Sequence, residues 1–269
     1  MKSRISLRFL VAVLVFCGAI PKPLLAEAVP VRQTEGLLHG FLVLRASNGD
    51  SLATGDLTQV THGDRVTSDL AFRFKDGSIF EETTVFSQRR TFQLLTYHLV
   101  QKGPTFKRPT DMTLNASTGQ VTVHYVDDGK EKTVTDQMKL PVDLANGIVT
   151  TLMNHIDPKD AKTMLSMVVS TPKPRLVKLA ISPEGEDSFS IGGSVLKATR
   201  YVVKIEIGGI SGLVAPIIGK QPPDTRVWML GGKAPAFLKS EGPLYDEGPI
   251  WRIELTSPVW PKSETNQKR

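Results

Sequence analysis

The side chains in this 269-residue sequence whose types could do chemistry are few: the adjacent carboxylates Glu81-Glu82, histidines at 39, 62, 98, 124 and 155, and Ser211 within Gly209-Ile210-Ser211-Gly212-Leu213. Each chemistry needs a particular geometry. A hydrolase elbow needs G-x-S-x-G, and Leu213 stands where the last glycine belongs, with Pro216 and Pro222-Pro223 discouraging a following helix. A phosphate loop needs G-x-x-x-x-G-K-[ST]; here Gly212 and Gly219 enclose six residues and Gln221 follows Lys220. The histidines are too scattered for a local zinc motif such as H-E-x-x-H. Glu81 and Glu82, if on a strand, point to opposite faces and cannot serve one substrate atom together. The sequence therefore names no catalytic residue, no cofactor and no metal.

What positions Glu82 is a hairpin. In "RVTSDLAFRFK" the residues Val66, Ser68, Leu70, Phe72 and Phe74 share one face, and Asp76-Gly77 supplies the turn before "IFEETTVFSQ" returns. A three-residue loop with Gly77 in the left-handed region pairs Phe72 with Phe80, Leu70 with Glu82 and Val66 with Phe86. A two-residue loop would strand Phe80 and Phe86 on the polar side. The first register puts Glu82 among apolar neighbours, where burial raises a carboxyl pKa and makes it a candidate proton carrier or head-group contact; the alternative is a rim carboxylate or one paired with an arginine. His98 is expected on a strand face shared with Leu94 and Val100.

Alternation of period two runs through most of the remaining chain, in "LLHGFLVLRA", "TFQLLTYHLVQK", "QVTVHYV", "TMLSMVVST", "PRLVKLAIS", "VLKATRYVVKIEI", "TRVWMLG", "PAFLKS" and "IWRIEL". Loops are expected at residues 103–110, 157–162, 183–194 and 219–224. In "SEGPLYDEGPIWRIEL" each Gly-Pro pair marks a bend, after which Trp251, Ile253 and Leu255 alternate inward. One segment breaks the pattern. "LPVDLANGIVTTLMNHIDP" sets Ala145, Ile148, Val149, Leu152, Met153 and Ile156 on one helical stripe, with Pro141 suiting the first turn and Asp157-Pro158 the stop. The reading is mainly β: a curved antiparallel sheet, half-barrel or open barrel, with one amphipathic helix packed on its concave face.

The first 28 residues have the layout of an export signal: a basic start at Lys2, Arg4 and Arg8, an apolar stretch over 9–20, and Ala26-Glu27-Ala28 as the cleavage site. That stretch falls short of the roughly 20 residues that span a bilayer. The expected product is an exported chain, periplasmic or extracellular. It forms one β-rich domain over residues 29–257 with a disordered tail over 258–269. Cys17, the single cysteine, lies in the signal, so the mature chain forms no disulfide and relies on its core. Removing Lys2, Arg4, Arg8 and Lys22 against Glu27 takes the formal charge from +6 to +3. The remaining basic residues are dispersed, which argues against nucleic acid as a partner.

Residues 207–219 are free of charge and carry four glycines and Pro216. Such a segment is too short and too broken to cross a membrane as a helix, and loops are normally polar. It is read as buried, or as an apolar flap over a hydrophobic ligand or against a membrane surface.

The layout of signal, strand meander, one "LPVDLANGIVTTLMNHI" helix and further strands resembles the half-barrel of the lipoprotein-carrier (LolA-like) type and its uncharacterised exported relatives. "FRFKDGSIFEETTVFSQR" and "GKQPPDTRVW" are similar to stretches of such exported proteins. The resemblance implies binding of an acyl chain or lipoprotein between helix and sheet. The expected ligand lining is Phe72, Glu82, Phe86, His98, Leu152 and Met153, with Ile210, Leu213 and Ile217 on the flap. The competing readings are a hydrolase-type enzyme assembled from tertiary acidic and histidine residues, and a filled scaffold that binds nothing.

Overall fold

The computed structural model describes residues 28–170, 173–206, 222–232 and 235–256. The expected signal, the 207–219 flap and the tail fall wholly or almost wholly outside them. The first half is a meander of eight strands: β1 (Leu38–Arg45), β2 (Ser51–His62), β3 (Arg65–Phe74), β4 (Ile79–Gln88), β5 (Phe92–Lys102), β6 (Thr110–Asn115), β7 (Gln120–Asp127) and β8 (Lys130–Gln137). A short helix, α1 (Val149–Met153), follows. Six more strands complete the order: β9 (Thr163–Val169), β10 (Arg175–Ile191), β11 (Ser194–Glu206), β12 (Thr225–Leu230), β13 (Ala236–Pro243) and β14 (Ile250–Leu255).

All fourteen join one antiparallel sheet in the order β8-β7-β6-β5-β4-β3-β2-β1-β14-β13-β12-β11-β10-β9. The seam between the two halves is β1 against β14, with Leu42 opposite Leu255 and Leu44 opposite Ile253. The sheet is not closed, because its end strands β8 and β9 do not pair with each other.

The curvature follows from the core. Phe92 on β5 and Leu179 on β10 belong to one buried cluster, yet they stand nine strand positions apart, roughly 43 Å in a flat sheet at about 4.8 Å per strand. Only a rolled sheet brings them together. α1 lies between them, with Leu152 and Met153 buried in the same cluster as Val66, Phe86, Leu165 and Val227. The β9 end carries apolar side chains on both faces. Leu165 and Met167 join the cluster around α1, while Val168 joins a second cluster with Leu94, Leu114 and Val123.

Three sequence expectations are corrected. The helix is shorter than its apolar stripe: Gly147 has φ +70°, a conformation that no right-handed helix contains. Ala145 and Ile148 are still buried, delivered by turns instead of a regular helix. Residues 183–194 are strand and not loop, since β10 continues past a register shift at Pro183/Gly185 to a two-residue Gly192-Gly193 turn. Gly242-Pro243 lies within β13, opposite Trp251 and Ile250, and the bend follows it at residues 244–245.

Candidate functional site

The β3–β4 hairpin has the register that places Glu82 inside. Gly77 sits at φ +84°, and Leu70 pairs with Glu82, Phe72 with Phe80 and Val66 with Phe86. Inward from β3 and β4, and across from β12, β13 and β14, lies a pocket of about 210 Å³. Its apolar wall is Leu44, Leu70, Phe80, Leu244, Trp251 and Ile253. Glu82, Thr225 and Ser240 are the polar groups on it. At Gly242 the wall is packed tightly against Thr225, which leaves no room for a side chain there. Trp251 is held in orientation by an edge contact with Tyr245 at 5.6 Å and a tilted contact with Phe74 at 5.7 Å between ring centroids.

Glu82 is the acid of this pocket. Tyr97 donates its phenolic hydrogen to Glu82 Oε1 at 2.6 Å, in the range of charge-assisted bonds. Burial raises the Glu82 pKa, and the Tyr97 bond offsets part of that rise. Burial and the neighbouring carboxylate push the Tyr97 phenol well above its ordinary value, so it remains a donor. Oε2 has no hydrogen-bond partner among the described residues. Glu81 points outward, 3.7 Å from Arg73.

Glu82 is the sequence-selected residue that lines this pocket. Phe72 is fully buried in the second cluster, and Phe86, Leu152 and Met153 in the cluster around α1. The space expected between helix and sheet at these residues is packed. His98 lies on the outer face, half exposed, with Nε2 2.9 Å from Asp111 Oδ1. The reason is a register shift: Phe86 pairs with Leu94 but Val85 with Thr96, so Leu95 is an extra residue that turns Tyr97 inward and His98 outward. Ile210, Leu213 and Ile217 lie outside the described residues.

Two buried polar clusters carry no sequence signal, because their members are remote in the chain. Asp143 accepts hydrogen bonds from Ser166 Oγ at 2.8 and 2.9 Å, and Lys178 Nζ lies 2.7 Å from Ser166 Oγ and 3.2 Å from Asp143. Ser166 is fully buried and occupied on both sides, so the group ties residues 143–146 to the edge of β9 and offers nothing to a substrate. Its backbone counterpart is the parallel bridge between Leu144 and Ser166.

In the second cluster, His155 Nδ1 accepts the Arg32 amide at 3.2 Å, and Nε2 donates to Glu35 Oε1 at 3.0 Å. Glu35 also meets the Gln59 and Gln88 side chains. The chain from Val29 to Glu35 is thereby strapped over β2, β4 and the end of α1, with Val29 in the core. Among the described residues no three His, Cys, Asp or Glu side chains converge as a metal site would require.

No protein-family model matches the chain, and no curated protein matches it. Among solved structures, the chain is similar to a β-barrel-like protein of a domain of unknown function, DUF1849, from Brucella abortus. The identity is 10% and the TM-score 0.48, over 86% of this chain and 100% of that one. That protein is described as barrel-like, without mention of a lipoprotein carrier, and the likeness carries no argument about activity.

Proposed function

We propose that this chain is an exported envelope protein that binds a small hydrophobic molecule, or the end of one acyl chain, in the pocket at Glu82. The observation that supports this reading is a pocket with mostly apolar walls holding one half-buried carboxylate with a single partner among the described residues. Pockets that fix a ligand combine such walls with a few convergent polar groups. At about 210 Å³ the pocket lies below the roughly 300 Å³ at which drug-sized sites begin, which favours a small ligand over a whole lipid. Export rests on the layout of residues 1–28.

The dense packing at Phe72, Phe86, Leu152 and Met153 favours a second reading, a filled scaffold that serves as a surface for partners. Native mass spectrometry of protein purified from its own host separates the two. A co-purifying small molecule lost on denaturation is the expected result; a single mass equal to the bare chain supports the scaffold.

A further inference from the structure

Glu82 differs from several of the acids along this sheet. Asp64, Asp127 and Glu184 each have an arginine or lysine partner that holds the carboxyl below its ordinary range, and for Asp187 the cost of burial is outweighed by the Trp228 indole and then Arg200. Among the described residues no cation pairs with Glu82. Its bond from Tyr97 satisfies Oε1, and Oε2 is left without a donor on a residue that lines the pocket. The Glu82 side chain is only half-buried and Oε2 keeps contact with solvent, so a cation entering the pocket has access to it without displacing a protein partner. The rest of the wall supplies what an organic cation needs: the rings of Phe80 and Trp251 and an apolar surface for a chain. Aromatic faces beside a carboxylate are the arrangement that recognises ammonium groups.

We propose that the pocket takes a protonated amine on a short apolar chain, with Glu82 as its counter-ion, Trp251 and Phe80 beside its nitrogen, and Leu44, Leu70 and Ile253 around its tail. This assignment rests on the reading of the pocket as a ligand site. Thr225 and Ser240 carry hydroxyls on the same wall that accept any further ammonium hydrogen.

Isothermal titration of the protein with hexylammonium, hexanol and hexanoate at neutral pH tests the assignment. The chains are matched, so the three probes differ in the head group. Hexylammonium is expected to bind about tenfold tighter than hexanol, and hexanoate weakest, because a hydrogen bond to a charged partner outweighs a neutral one. Glu82→Gln is expected to abolish the preference for ammonium over alcohol, and Trp251→Leu to reduce it. Hexanol binding as tightly as hexylammonium overturns the ammonium assignment while leaving a hydrophobic pocket. Failure of all three probes overturns the pocket reading and this inference with it.

Discussion

Tyr97 and Glu82 form a diagonal pair across β4 and β5, the phenolic O–H reaching Oε1 at 2.6 Å although Tyr97 is opposite Thr84 and Glu82 opposite Leu99 in the strand register. Without the extra residue at Leu95, His98 would take the inward position beside Glu82. The bulge thus sets a phenol that stays a donor, and not an imidazole, beside Glu82.

Glu82→Gln should make the protein more stable at neutral pH. The folded chain holds the Glu82 proton to higher pH than the unfolded chain, whose value is near the ordinary 4.5. Between those two values the folded form binds more protons, so stability falls as pH rises through the interval. Gln keeps an oxygen for Tyr97 and carries no charge. Urea midpoints should favour the variant above the folded-state pKa and converge on wild type below pH 4.5; equal midpoints at neutral pH would contradict it.

Tyr97→Phe removes the donor that, among the described residues, opposes the burial of Glu82. The loss should cost about 1.5 to 3 kcal/mol where Glu82 is ionised, as for hydrogen bonds to charged groups. The Glu82 pKa, followed by carbon NMR of its carboxyl, should move further up. A fall in that pKa would show that Tyr97 is not its principal stabilising partner.

Gly147→Ala faces two obstacles: the backbone is at φ +70°, and a Cβ would lie 2.0 Å from Thr84 Oγ1. Strain alone costs about 1 to 2 kcal/mol, and the clash adds to it. Thermal melting should show the larger loss in the single variant and partial recovery in Gly147→Ala with Thr84→Ala, since the two sites are coupled through contact.

His155→Phe keeps the ring against Phe92, now 4.5 Å away between centroids, but leaves the Arg32 amide without its acceptor and removes one donor to Glu35. A loss of about 1 to 3 kcal/mol is expected. Hydrogen exchange at the amides of residues 31–35 should accelerate while the amides of β3 and β4 keep their protection.

Much of the fold is legible because alternation survives wherever one strand face is apolar. The β3–β4 register follows from keeping Phe72, Phe80 and Phe86 together, and Glu82 follows from that register. β2 escapes such reading because its inward face includes Ala53, Gly55 and Gln59, and β8 because it is an exposed edge of "KEKTVTDQ". His98 is misplaced by a single bulge that no composition marks. The pocket itself could not be read, since its walls come from β1, β3, β4, β12, β13 and β14, brought together by the roll of the sheet. The helical stripe gives the right buried residues and the wrong length, because Gly147 serves a close approach to Thr84.

The most direct test is a crystal structure of the protein purified from its own host, inspected at the pocket between Phe80, Trp251 and Glu82. The account predicts density for a small molecule with a donor atom within about 3.2 Å of Glu82 Oε2. A pocket filled by the chain's own side chains would contradict it.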